Sequence, residues 1–329
     1  MIILDISGYS FTGKSAYFDL ITSCQHVKSF SREDEIELFR VRGGLYDLYL
    51  NTTNPNWSLI RSSNSVKDYL QLISNLGFQR NFLSRMFSHG LYYEDLFPGF
   101  NRASIKFVSQ VVSSTYKGYW PYYQLSRRNS FLSTLLSKLK PSPSLIYLSR
   151  ICPGTFEKLA VEYTDSLFAT HRHSSTSAFV ISNAFETSCP ESFLPFFSDA
   201  KSIVIDRDPR AIYASAYIES KTKKNPLVAS ATIGNSPSDF INRFLMQRRM
   251  NSCSSPNVLR MMFEDLVTSP DYTIATLSHF LGFELLPLPG RSFSLPYSST
   301  QPWLTYNDKT LNRHISYIEE NLSSYCISC

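Results

Sequence analysis

Gly8-Tyr9-Ser10-Phe11-Thr12-Gly13-Lys14-Ser15 is the stretch whose reading decides the fold. It fits G-x-x-x-x-G-K-[ST] at every fixed position. Gly8 and Gly13 let the backbone bend and approach a ligand where a side chain would clash. Successive N–H groups then face one cavity, and the positive end of a following helix adds to them. Lys14 can set its ammonium against a terminal anionic group, and Ser15 can meet a phosphate oxygen or a magnesium ion. Residues 1–6 are short, apolar and β-branched, and read as a buried strand, while residues 15–24 read as a helix. Strand, glycine loop and helix form the context that separates an anion-binding loop from a merely tight turn.

The second half of the chain continues the alternation. Residues 178–182, 202–205 and 257–263 are strand-like, and residues 191–197 suggest a short helix. A helix follows Pro209, and another runs from the Ser269-Pro270 turn to a glycine stop at Gly282. This rhythm predicts an α/β fold: a three-layer α/β/α arrangement around a central, mainly parallel sheet. Residues 1–329 read as a single phosphate-loop domain with a largely helical insertion or lid over roughly 31–150. Apolar spacings of three and four mark helical patches at 66–76 and 82–96, and Pro141-Ser142-Pro143-Ser144 reads as a connector. Within the insertion, Arg40 and Arg42 precede Gly43-Gly44. They contact an anion or acceptor, or they form a basic helix end capped by glycine.

Composition narrows the function classes. The chain is 43% hydrophobic and 18% charged, which is globular, and its net charge of +5 is too dilute for a nucleic-acid-binding tail. Six scattered cysteines form no disulfide framework, and the terminal Cys326-x-x-Cys329 lacks a partner pair for a metal. No secretory leader is visible and no apolar run approaches the length of a membrane span, so a cytoplasmic location is expected.

The strand ending at Asp206 opens the stretch 203–217, IVIDRDPRAIYASAY. Two accounts compete for it. Asp206 can be the magnesium-binding acid of a phosphate-loop kinase or NTPase using ATP-Mg. Alternatively, Arg207 at the strand end and Ser215 on the next helix grip a phosphate together.

This stretch resembles the 3′-phosphate-binding segment of sulfotransferases, R-[ND]-P-[RK]-[DA] with a Ser eight residues after the first Arg; here those places hold Arg207, Asp208, Pro209, Arg210 and Ser215. Residues 258–283, VLRMMFEDLVTSPDYTIATLSHFLGF, are similar to that family's YEDL…P…FLG segment, with Phe263 in the Tyr place. Trp303 and residues 315–320 are similar to its closing Trp and last helix. The resemblance covers residues 1–25 and 178–322. It implies a donor, 3′-phosphoadenosine 5′-phosphosulfate (PAPS), and no required metal. By that resemblance Gly8, Ser10, Phe11, Thr12, Gly13, Lys14 and Ser15 hold the phosphosulfate, and Arg207 and Ser215 hold the 3′-phosphate.

Three places depart from the family pattern. Phe11 stands where the family loop carries a cation, which passes that role to Lys14. The adenosine loop has only Arg291 and residues 296–303 as substitutes. The His of cytosolic members is replaced by Val180-Ile181-Ser182-Asn183-Ala184-Phe185-Glu186, closer to the carbohydrate-modifying branch. Glu186 is then the candidate base and Asn183 the group that orients acceptor or sulfate; Asp5, Glu37, Asp47 and His89 are further candidates. Glu186 can equally be a helix-start carboxylate. His171 and His173 read as a solvated loop. The expected reaction moves a sulfuryl group to a hydroxyl, on a small molecule or a carbohydrate, or to an amine. The alternatives are the ATP-Mg kinase and a non-catalytic nucleotide-binding protein.

Overall fold

The computed structural model describes residues 1–77, 92–118, 143–222, 226–249, 255–286, 288, 300–306 and 308–327. The chain divides into two compact units, one of Met1–Glu37 with His171–Cys329 and one of Leu38–Thr170.

The first unit is built on a five-stranded sheet with order β2-β5-β1-β6-β7. Its strands are β1 (Ile2–Gly8), β2 (Val27–Ser29), β5 (Ala178–Ser182), β6 (Ala200–Asp206) and β7 (Val258–Met262). Every pairing is parallel. The fold is therefore α/β with a central parallel sheet flanked by helices. The sequence pattern did not signal β2, an edge strand of three residues.

Strand alternation sorts the core. Leu4, Ile6, Val180, Ile203, Ile205 and Met261 face a cluster that includes Tyr17, Phe18 and Ile21 of α1 (Lys14–Thr22). Phe263 and Leu266 of α10 (Phe263–Thr268) and Leu277 and Leu281 of α11 (Pro270–Leu281) complete it. On the other face lie Asp5, Ser7 and Ser202, and the segment after β5 packs there, with Ser7 Oγ donating to the Phe185 carbonyl at 3.3 Å. That segment forms two short 3-10 turns, Pro190–Ser192 and Leu194–Phe196, in place of the expected single helix. Pro190 and Pro195 each stand in the first two residues of a turn of their own, which divides the run.

A second cluster joins α7 (Pro209–Thr222), α9 (Pro237–Arg249) and α13 (Lys309–Asn321) through Ile212, Tyr213, Phe240, Phe244, Leu311 and Ile315. Between these helices in sequence come α8 (Pro226–Ile233) and α12 (Pro302–Thr305).

The second unit holds α2 (Leu45–Thr53), α3 (Leu59–Leu76), α4 (Tyr93–Leu96), α5 (Phe100–Val111) and α6 (Pro153–Leu167). Phe107 and Tyr163 stack in its core at 4.8 Å. It also carries an antiparallel pair, β3 (Ser114–Gly118) with β4 (Ser144–Leu148). The glycine pair does not end a helix: Gly43 is left-handed (φ 78°), and Gly44 precedes the first residue of α2. The 82–96 patch lies within the described residues only from Tyr92 onward, and Pro141 and Ser142 lie outside them. Among the described residues no helix is long and apolar enough to cross a membrane.

Gly13 is where core and loop meet. Its φ is 84°, and a Cβ there would stand 2.3 Å from Cδ2 of Phe263. Left-handed strain and overpacking combine to about 2–4 kcal/mol. Gly13→Ala should lower unfolding free energy by about that amount in urea denaturation. Phe263→Leu in the same chain should recover only the packing share.

Candidate active site

The loop from Gly8 to Lys14 is shaped by contacts on both flanks. A Cβ on Gly8 would lie 2.6 Å from Thr12 Oγ1 and 2.9 Å from the Ile205 carbonyl, so the first glycine is required by close approach. Thr12 closes a tight turn, its N–H and Oγ1 donating to the Tyr9 carbonyl at 3.3 and 2.8 Å. Phe11 takes a left-handed φ of 67° with its ring packed against the α7–α9–α13 cluster. That conformation costs about 1–3 kcal/mol in a bulky residue, so surrounding packing must hold it. The Tyr9 hydroxyl donates to the Gln247 carbonyl at 2.8 Å, and burial pushes its pKa up to about 12. Ser10 is exposed at the tip, and Ser15 is half-buried in the first turn of α1, where N–H groups lack partners within the helix.

At the end of β5 the loop lysine meets a carboxylate. Lys14 Nζ donates to Glu35 Oε1 at 2.5 Å and to Ser182 Oγ at 3.3 Å. Asn183 Nδ2 donates to the same Glu35 oxygen at 2.7 Å, and Asn183 Oδ1 accepts from the Gly8 N–H at 3.3 Å. Glu35 is carried there by a parallel bridge to Ser182, with the Ile36 N–H bonded to the Ser182 carbonyl at 3.1 Å. Glu35 was not among the sequence candidates, although Glu37 was. Its only sequence signal is the acidic run Glu33-Asp34-Glu35, which reads as a solvated turn.

Asn183 is itself left-handed, with φ 50°. The turn behind it rests on Asp5, whose Oδ1 accepts from the N–H groups of Ala184 and Phe185 at 2.9 and 3.4 Å. Oδ2 of Asp5 accepts from Ser7 and Ser202 at 2.6 and 2.8 Å. Asp5 has no solvent exposure, so it supports the turn instead of meeting an acceptor. Burial raises its carboxyl pKa from 3.8 to about 6 against those four donors.

At the end of β6, Arg207 and Ser215 come together. Arg207 Nη1 donates to Ser215 Oγ at 3.2 Å and to the Phe11 carbonyl at 3.1 Å. Its guanidinium lies 4.7 Å over the Phe263 ring. Burial lowers the arginine's pKa, opposed by the charges of Glu264 and Asp208. Glu264, raised by its own burial, accepts the Asp208 N–H at 3.1 Å. The competing role for Asp206 meets an obstacle: both its oxygens accept from Arg248, with Nε to Oδ2 at 2.8 Å and Nη2 to Oδ1, and Oδ1 also takes the Arg207 N–H at 2.8 Å.

The remaining candidates scatter. Glu186 is half-buried, and its charge acts on Tyr9 and Cys189. Asp47 lies in the second unit and accepts the Gly43 N–H at 2.7 Å. His171 packs against Phe30 and Phe179 at 5.1 and 4.9 Å, so it is not simply solvated. Trp303 lies under Arg210 at 5.2 Å. The Cys326 thiol is pushed up to about 11 by burial and the Asp208 charge, which keeps it protonated at neutral pH. His89, Arg291, Cys329 and residues 296–299 lie outside the described residues.

No protein-family model matches the chain. No curated protein matches it. It is similar to solved sulfotransferase structures. One is the sulfotransferase domain of the Synechococcus PCC 7002 olefin synthase: identity 14%, TM-score 0.39, covering 100% of this chain and 96% of that one. Another is a sulfotransferase from Alicyclobacillus acidocaldarius: identity 10%, TM-score 0.40, covering 99% and 98%. A third is retinol dehydratase with androsterone and the inactive cofactor PAP: identity 12%, TM-score 0.39, covering 99% and 82%. Likeness at this level carries no weight for activity.

The Asp5 carboxyl binds its proton more tightly in the fold than in the unfolded chain. Its stabilising share is full below 3.8 and is lost as pH rises through about 6. A rise of that size corresponds to about 3 kcal/mol. Asp5→Asn should remove that fall in stability between pH ~4 and ~7, read as urea midpoints across the range.

Proposed function

We propose that this protein is a sulfotransferase that takes its sulfuryl group from PAPS and delivers it to a hydroxyl or amine acceptor, with a carbohydrate hydroxyl as the finer reading. One observation carries the proposal. Two cationic centres stand at neighbouring strand ends, Lys14 with Glu35 and Asn183 on one side and Arg207 with Ser215 on the other. A donor with two separated anionic groups suits such a pair. The 3′-phosphate is the group that separates PAPS from ATP, and Arg207 with Ser215 offers it a two-pronged cation and a hydroxyl.

The donor supplies an activated sulfuryl group. Lys14 and the loop N–H groups stabilise negative charge on the bridging oxygen as the S–O bond breaks. Glu35 takes the proton of the acceptor hydroxyl, because its carboxylate stands beside Lys14, where the sulfuryl group would lie. Asn183 fixes that carboxylate through Nδ2 and fixes the loop through Oδ1. In the resting arrangement Lys14 is paired with Glu35, so engaging an anion frees the carboxylate from its strongest neighbour. Orientation and charge do most of the work, and no protein nucleophile is required. Glu186, half-buried three residues beyond Asn183, remains the alternative base.

Titration with 3′,5′-bisphosphoadenosine and with ATP–Mg²⁺ tests the donor. The bisphosphate should bind the more tightly, and tight ATP–Mg²⁺ binding without affinity for the bisphosphate would sink the proposal in favour of a kinase. Arg207→Ala should weaken the bisphosphate about 10–100-fold while changing AMP far less. Glu35→Gln should lower turnover by about 10²–10⁴-fold with the bisphosphate bound no more weakly, since the change removes a negative charge from the site. Bisphosphate binding with no transfer across a broad hydroxyl and amine panel would instead mark a non-catalytic binding protein.

A further inference from the structure

Residues 325–327 lie past the last α-helix and on the surface, yet they reach both flanks of the anion site. The Ile327 N–H donates to Asp208 Oδ2 at 2.9 Å, and the Ile327 carbonyl accepts from Arg210 Nη2 at 2.7 Å. Asp208 and Arg210 are a buried pair, joined from Nη2 to Oδ2 at 2.7 Å and from Nε to Oδ1 at 3.1 Å. The tail thus lies across that pair as a short strap, satisfying one oxygen of the acid and one prong of the base. Asp208 is the residue after Arg207, and its own N–H is held by Glu264.

A second line of contacts starts from Tyr325. Its ring meets Phe244 edge-on at 5.2 Å. Phe244 lies 3.4 Å under the guanidinium of Arg248. Arg248 stands 4.9 Å over the ring of Tyr9, in the phosphate loop, and also grips Asp206, at the end of β6. Surface tails usually contribute little to a site, since they fray. Here one backbone donor adds to the arginine contacts of a buried carboxylate, and a hydrogen bond to a charged acceptor contributes more than one between neutral groups.

We propose that residues 325–327 are a positioning strap for the anion site at the end of β6. The strap holds the 206–208 turn, and the turn sets the backbone from which Arg207 reaches Ser215. The inference rests on the reading that Arg207 and Ser215 receive the 3′-phosphate. The strap touches neither ligand nor acceptor, so its effect should fall on the group that Arg207 meets and spare the rest of the nucleotide.

Ile327→Pro deletes the single N–H. Cys326 has φ −80° and ψ 136°, the backbone that a residue before proline favours. Ile327→Ala keeps the N–H and is the control; the Ile327 side chain is 39% exposed, so neither change opens the core. Calorimetric binding of 3′,5′-bisphosphoadenosine and of AMP, with a thermal melt of each variant, gives the readout. In Ile327→Pro the bisphosphate should weaken about 5–10-fold with AMP within about twofold, and Ile327→Ala should match the parent. The strap is refuted if Ile327→Pro binds the bisphosphate like the parent, loses both ligands equally, or is matched by Ile327→Ala. A parent chain that does not distinguish the bisphosphate from AMP would overturn the underlying donor reading, and the strap with it.

Discussion

β1 pairs in parallel with β5 along one edge and with β6 along the other, so three strands deliver their carboxyl ends side by side. Everything in the site hangs from that register. Gly8 stands opposite Ile205 at the edge of β6, and Ile6 opposite Ser182 at the end of β5. The phosphate loop therefore leaves the sheet between Asn183 on one side and Arg207 on the other. In parallel sheets this carboxyl edge is where ligands collect, because helix starts and strand-end loops converge there. The register also explains the polar residues within the sheet. Asp5 and Ser202 are direct neighbours across the β1–β6 pair, and their shared hydrogen bond lies beneath the turn that carries Asn183.

Charge is arranged in the site by neutralisation in pairs. Lys14 is matched with Glu35, Arg248 with Asp206, and Arg210 with Asp208 and Glu319. The second and third pairs are extensively hydrogen-bonded and act as struts. The first is half-exposed and lies where loop, strand end and turn meet. Arg207 is held by a carbonyl, a hydroxyl and an aromatic face.

Local signals carried much of this into the sequence. The glycines of the loop are legible because close approach and positive φ leave few alternatives at Gly8 and Gly13. The strand at 202–205 is legible from its β-branched run, and the eight-residue step from Arg207 to Ser215 is legible because a strand end and the next helix hold it rigidly. Less was visible where the partner is remote. β2 is too short to show a pattern, the β3–β4 pair lies in a stretch read as helical, and the glycine pair at 43–44 opens a helix instead of closing one.

What the sequence by itself determined is the alternation of strands and helices and the course of the two segments 8–15 and 203–217, since each rests on residues near one another in the chain. The tertiary structure alone decided which acid stands beside Lys14, which carboxylate is buried beneath Asn183, and which arginine occupies Asp206. The hydrogen bonds that fix them, Lys14–Glu35, Ala184–Asp5 and Arg248–Asp206, span 21, 179 and 42 residues. They depend on strand order and register, and a carboxylate looks the same in sequence whether it ends beside the loop lysine, as a buried support or as one half of a strut.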